Sequence, residues 1–141
     1  MEELLLVHLA ATFAMVGIIW FVQIVHYPLF ARVGIKGFSA YSGVHSRLTG
    51  YVVGPPMLAE AATAVALVLW PPPGVSLSLT VAGLALLAVA WFSTALLQSP
   101  RHRELAGGFN PASHCSLVAT NWLRTICWTA RGVIVLWMAA G

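Results

Sequence analysis

The sequence predicts an all-α integral membrane protein, an up-down four-helix bundle, and three observations carry that prediction. Sixty per cent of its 141 residues are apolar and 8% are charged, whereas a soluble domain has roughly a quarter of its residues charged. No Asp, Glu, Lys or Arg occurs between Glu3 and Arg32, nor between Glu60 and Arg101. Apolar stretches at 4–31, 48–70, 76–99 and 113–140 each reach the length of about 20 residues that a bilayer crossing needs. Only helices and closed barrels satisfy their backbone groups in lipid, and these runs read as an up-down four-helix bundle.

The elements follow in order. Helices are expected over 4–31, 40–70, 76–99 and 112–140, forming a single transmembrane domain over residues 1–141. The first is not expected to be a cleaved signal peptide, since it follows Glu2 and Glu3 and its apolar run exceeds an h-region. Gly34, Lys36 and Gly37 break the chain after it. The second is expected to kink at Pro55-Pro56, and the WPPPG stretch ends it, because proline lacks an amide donor and clashes with the preceding turn. The third connection, SPRHRELAGGFNPAS, closes on Asn110-Pro111, an N-cap with proline at the first helical position. Cys115 and Cys127 lie 12 residues apart on one helix, roughly 18 Å and too far for a disulfide. Both are expected to be small buried packing residues.

Arg32, Lys36, Arg47, Arg101 and Arg103 gather at the ends joined by the first and third loops. The positive-inside rule places loops 32–39 and 100–111 in the cytoplasm and both termini outside.

At 100° per residue the polar side chains form stripes. On the fourth helix His114, Asn121, Arg124, Thr125, Trp128 and Arg131 share one face, opposite Val118, Ala119, Ile126 and Val133. On the first, His8, Met15 and His26 align, with Gln23 nearby. On the second, Tyr41 and His45 align with Val52 and Pro56, and Glu60 is slightly off that line. On the third, Trp91, Thr94 and Gln98 align. Antiparallel chain direction puts His26, His45, Gln98, His102 and His114 near one interface, with Tyr27 and Tyr41 beside them. From that level Asn121 is about 10 Å deep, Arg124 about 15 Å and Glu60 about 22 Å.

Ionisable residues inside a membrane are costly and mark partners or function. Glu60 is the one acid within the spans, so it is expected to pair with Arg124 or Arg131. That pair serves either to fix helix register or as a protonatable, ligand-contacting group. The second arginine then awaits an anion, or, as Arg131, snorkels to the outer interface. His8 is expected at an interfacial helix end and His102 in solvent. His26 and His45 flank one loop in phase and are the candidate metal or haem ligands, since neutral imidazole is the commonest such ligand. Most tryptophans belong to interfacial belts, while Trp122 and Trp128 flank the polar stripe and are expected to wall a pocket for a flat ligand.

The stretches GIIWFVQIVHYPLF, SGVHSRLTGYVVGPPMLAEA, QSPRHRELAGGFN and NWLRTICWTARGV together resemble an uncharacterised bacterial family of small four-helix membrane proteins. More distantly, the architecture and the WFVQIVHYPLF first helix resemble the anthrone-oxygenase-type small membrane proteins. That resemblance implies oxidation of aromatic polyketides. The chain is also similar in size to the small haem-containing bacterial protoporphyrinogen oxidases, although the histidine and proline spacing of its first helix differs from theirs.

The function expected from these features is a membrane redox enzyme with haem or a metal ion near His26 and His45. Its substrate would be an apolar aromatic, quinone-like or lipid molecule entering from the bilayer. Glu60, Arg124 and Asn121 are the expected catalytic residues, Glu60 moving a proton while Arg124 and Asn121 orient an oxygen. Gln23, Tyr27, Tyr41, Gln98, His114, Trp122, Trp128 and Arg131 are expected to line the pocket. His26, His45, Gln98, His114 and Asn121 would rim one polar, cytoplasm-facing cavity. The alternatives are a non-catalytic subunit of a larger membrane complex or homo-oligomer, and a carrier of lipid or another small amphiphile with Glu60 as its proton switch. Positive charge is too sparse for a nucleic-acid partner. A topology reporter fused after residue 141 should read as external, and one inserted in loop 32–39 as cytoplasmic; the reverse pattern would invert the orientation.

Overall fold

A computed structural model describes residues 2–140. Four long helices account for nearly all of them: α1 (Glu2–Arg32), α2 (Ile35–Leu69), α3 (Leu77–Ala106) and α4 (Pro111–Ala140). Each is long and apolar enough to cross a membrane, and no strand occurs among the described residues. The helices pack in a ring, α1 on α2, α2 on α3, α3 on α4 and α4 on α1. The first and third connections lie at one end, here the loop end, and the proline-rich connection lies at the other.

Two glycines make the tight connections. Gly34 has φ 86° and Gly74 has φ 82°, backbone conformations that cost a side-chain-bearing residue. Gly74 lets the Val75 amide return to the Pro72 carbonyl at 3.1 Å. The third connection is shorter than the sequence predicts, because α3 continues as helix to Ala106. Asn110 caps α4 as expected, its Oδ1 accepting from the amides of Ala112 at 2.9 Å and Ser113 at 3.1 Å. α2 passes through Pro55-Pro56 as continuous helix. The two ring nitrogens leave the carbonyls of Tyr51 and Val52 without their usual donors.

Two departures from α geometry matter most. Val22–His26 in α1 and Thr94–Gln98 in α3 are π turns. Each is closed by a bond spanning five residues, from the Tyr27 amide to the Val22 carbonyl and from the Ser99 amide to the Thr94 carbonyl. Each immediately precedes an X-Pro step, Tyr27-Pro28 and Ser99-Pro100. A proline inside a helix cannot donate and its ring collides with the carbonyl four residues back; a wider turn upstream relieves both problems. This is why α3 survives Pro100.

In lipid, apolar burial does not drive helix association; close packing and interhelical hydrogen bonds do. The interior fits that rule. Gly132 brings α4 against α1, where a Cβ would lie 3.3 Å from Val16 Cγ2. Val22, Tyr27, Phe30, Phe38, Leu105 and Leu117 form an apolar cluster at the loop end, and Met15, Ile19, Ala90, Cys127 and Trp128 form one midway. Cys127 is buried as expected, but Cys115 is exposed on the outer face of the first turns of α4.

Beyond the midway cluster a polar knot holds all four helices. Glu60 Oε1 accepts from Arg131 Nε at 2.9 Å and from Thr12 Oγ1 at 2.9 Å, and Oε2 accepts from Trp128 Nε1 at 2.8 Å. Arg131 also donates to the Gly83 carbonyl, and its guanidinium lies 3.4 Å from the ring of His8, whose Nδ1 meets Thr63 Oγ1 at 2.7 Å. Glu60 and Arg131 are 0% and 1% exposed. Of the two partners the sequence left open, Glu60 takes Arg131. Arg131 therefore does not snorkel, and His8 is not an interfacial terminus but a buried member of the knot. The cause is shared: an arginine brought inside needs every donor answered, and His8 supplies the α1 side.

Replacing one member of this pair strands the other. Glu60→Gln should lower stability by roughly 3–5 kcal/mol, while the apolar double variant Glu60→Met/Arg131→Leu should lose less than either single change. Thermal or denaturant unfolding of the three variants in detergent measures this; equal losses for all would show that the pair is not coupled.

Candidate functional site

The site lies at the loop end and begins with the π turn of α1. The wider turn brings His26 toward α2, where its Nε2 meets His45 Nδ1 at 2.8 Å. The rings are 4.6 Å apart. Thr49, one turn further along α2, places its hydroxyl 3.1 Å from the same His45 nitrogen. Phe30, fully buried, is the pivot of the cluster: its ring centre lies 5.3 Å from His26, 5.0 Å from His45, 6.3 Å from His102 and 6.4 Å from His114. Tyr41 stacks on His45 at 6.2 Å.

His102 was expected in solvent. The continuation of α3 past Pro100 carries it inward instead, stacked 5.6 Å from His45 with its Nε2 2.9 Å from the Tyr27 hydroxyl. Its Nδ1 is buried without a partner. The signal was present as the spacing Gln98 to His102, one helical turn, but a proline between them argued against a helix there. Thr49, Phe30 and the small residues Gly43 and Gly50 were also missed, because none carries chemistry that stands out in a sequence.

Two cavities meet at His45. One, of about 550 Å³, lies between α1 and α2 and is lined by apolar side chains including Phe21, Val22, Leu48 and Val52, with His26, Tyr41 and His45 at its polar end. The other, of about 510 Å³, lies between α2 and α3 and is lined by Tyr27, His45, Gln98, His102, Arg103 and Arg124 among others. Thr49 and Val53 also wall both, so the stripe His45, Thr49, Val53 on α2 partitions them. The polar cavity exists because α2 presents Gly43 and Gly50 to it, and a Cβ at either would meet nothing within 4 Å.

The expected single rim of His26, His45, Gln98, His114 and Asn121 is thus not what forms. His45 and Gln98 line the polar cavity, but His26 lines the apolar one. His114 is turned aside, its Nε2 held 2.8 Å from the Tyr27 carbonyl. Asn121 lies behind the wall: its Nδ2 donates to Gln23 Oε1 at 2.8 Å and its Oδ1 accepts from Arg124 Nη1 at 3.1 Å. Gln23 in turn donates to the Val118 carbonyl at 3.2 Å. Gln23 and Asn121 therefore position Arg124 and do not themselves face either cavity. Gln98 is held from both sides, accepting from Ser93 at 3.1 Å and donating to Thr120 at 3.2 Å.

Four further site residues, Glu60, Arg131, Trp128 and Trp122, need correction. Glu60 lies in the polar knot and lines neither cavity, and Arg131 is there with it, because Trp128, Thr12 and Arg131 consume its lone pairs. Trp128 is buried beneath Arg124, whose guanidinium carbon sits 5.3 Å from the indole centre. Trp122 is 41% exposed and packs edge-on against Trp20 at 5.8 Å on the outer face. It lines neither of the two cavities.

For a metal, the described residues contain no cluster of three or more His, Cys, Asp or Glu side chains disposed to hold an ion. For a haem between His26 and His45, two axial bonds near 2 Å would separate the ligating nitrogens by about 4 Å. The observed 2.8 Å leaves no room for an iron between them, so this pair does not fit such a group. What it does fit is proton sharing: one nitrogen of the pair carries a hydrogen and the other accepts it.

The chain matches no family model, no curated protein and no solved structure.

Nitrogen NMR of labelled imidazoles tests the cluster. His26 Nε2 and His45 Nδ1 should show one protonated and one unprotonated signal with coupling across the shared hydrogen, and Tyr27→Phe should shift only His102. Two independent, uncoupled rings would dissolve the pair.

Proposed function

We propose that the protein is a multi-pass protein of the bacterial inner membrane, termini outside, that binds an apolar aromatic or quinone-like amphiphile at the cytoplasmic side of the bundle and moves a proton at the carbon beside its oxygen-bearing head. The observation that carries this is the position of His45. It stands in the wall shared by an apolar cavity open between α1 and α2 and a polar cavity holding Arg124, Tyr27 and His102. A flat apolar body is accommodated by the first and an oxygen-bearing head by the second. His45, with His26 to relay its proton and Thr49 to orient it, serves as general base or acid toward that head. Tyr27 and His102 form a second donor–acceptor couple beside His45 in the wall of the polar cavity. The aromatic character of the substrate follows the resemblance to anthrone-oxygenase-type proteins. The oxidation that the resemblance implies would begin with such a proton transfer. Ligand-dependent redox chemistry finds no support in the His26–His45 pair as an iron sandwich.

The assay uses the whole protein in neutral detergent, with 2-tetralone, 1,4-naphthoquinone and 2-naphthoate as probes. At least one should raise the melting temperature, and the protein should accelerate exchange of the α-hydrogens of 2-tetralone in D2O. His45→Ala should cut that exchange about 10²-fold or more with the thermal shift retained. If none of the three stabilises the protein, the ligand site is abandoned for a structural subunit of a larger membrane complex. Binding without exchange would favour a carrier.

A further inference from the structure

We infer that the head of the ligand is an oxyanion, a carboxylate or phenolate gripped by Arg124, and not a neutral carbonyl. This rests on the ligand site proposed above and narrows it to a charge class.

Charge accounting comes first. The chain has four carboxylates, Glu2, Glu3, Glu60 and Glu104. Glu60 is consumed by Arg131. Glu104 is consumed by Arg101 at 2.7 Å and by the Ser113 hydroxyl. Glu2 and Glu3 begin α1, at the far end from the site. Arg124, only 7% exposed, has no carboxylate within ion-pair distance among the described residues. A buried cation without a counter-charge is costly, and a guanidinium is charged at any accessible pH.

Donor accounting agrees. Of five N–H groups a guanidinium offers, one on Nη1 points to Asn121 Oδ1 at 3.1 Å, and the Tyr27 hydroxyl is a second neighbour within hydrogen-bond reach. Nε is buried with no partner. One face of the group is covered by the Trp128 indole, so its edge is what remains for the cavity it lines. The hydrogens that remain on its terminal nitrogens can take a carboxylate in two-bond geometry.

The arrangement is also built in advance. Gln23 fixes Asn121, Thr125 Oγ1 lies 3.4 Å from the same Gln23 oxygen, and Asn121 fixes Arg124. Orientation is therefore settled before a ligand arrives, which lowers the entropic cost of binding. The polar cavity offers one further donor for an anionic oxygen: the Tyr27–His102 bond uses one hydrogen of that couple, and the other is carried by either the Tyr27 hydroxyl or the otherwise unpartnered Nδ1 of His102.

The test is a matched pair: binding of 2-naphthoate and of isosteric, neutral 2-naphthamide to the detergent-solubilised whole protein, followed by calorimetry. Naphthoate should bind at least about tenfold more tightly, and Arg124→Gln should bring that ratio close to one. Arg124→Lys, in case the glutamine variant fails to fold, should keep the preference for the anion while weakening it. Gly43→Leu, which fills open space on the opposite wall, should weaken both probes alike without loss of melting temperature. If naphthamide or 1,4-naphthoquinone binds as tightly as naphthoate, the charge assignment is overturned while the ligand site stands. If neither naphthoate nor naphthamide binds to the wild type at millimolar concentration, both fail. An unchanged naphthoate preference in a folded Arg124→Gln protein would also overturn the role of Arg124.

Discussion

The ion pair between Glu60 and Arg131 decides the rest of the arrangement. It joins α2 to α4, and through Thr12, Gly83 and His8 it engages α1 and α3 as well. Its register determines which face of α4 turns inward. It also removes the one acid available within the spans, so the arginine seven residues earlier has to find its charge balance elsewhere. The character of the loop-end site is a consequence of that subtraction. A bundle whose acid had paired with Arg124 would have a neutral polar cavity and a stranded cation at the other end.

Above the knot, α4 acts as a graded column. Arg131 has a partner on each of its three nitrogens, Trp128 separates the two guanidiniums and touches both systems, and Arg124 is held through only part of its donor set. Trp128 donates its indole hydrogen to Glu60 and presents its face to Arg124. One side chain thus separates the paired charge from the one without a carboxylate while using its two electrostatically different parts, edge and face. The residues that secure Arg124 are amides and hydroxyls, which fix direction without contributing charge.

The four helices, the N-cap at Asn110 and the participation of Glu60 in a buried pair were all legible, because lipid imposes length, composition and pairing rules that a single sequence displays directly. Helical phase also brought His26 to His45. What could not be read were features that depend on departures from ideal phase or on absent side chains. His102 was hidden by Pro100, since a proline in a sequence signals an end and only the π turn before it lets the helix continue. His114 and Asn121 were correctly placed on the inward stripe, yet their lone pairs and hydrogens are spent on the Tyr27 carbonyl, Gln23 and Arg124. Phase says which way a residue faces; it does not say who reaches it first. The cavities were invisible for a simpler reason, that Gly17, Gly43 and Gly50 shape them by having no side chain.

The two π turns carry a consequence for how this scaffold can change. Each amounts to one surplus residue in an otherwise regular helix, lodged between the buried knot and the loop-end chemistry. Downstream of each, the helix is rotated by about 100° relative to an uninterrupted one. The molecule therefore behaves as two stacked barrels with a clutch between them. Loss or gain of one residue at 22–26 or 94–98 would swing a different set of side chains into the loop-end cavities and leave Glu60, Arg131 and their partners meshed as before. Sequences sharing this lower half could carry quite different ligand sites above it, and a one-residue gap in their alignment at either proline step would be the mark of the change.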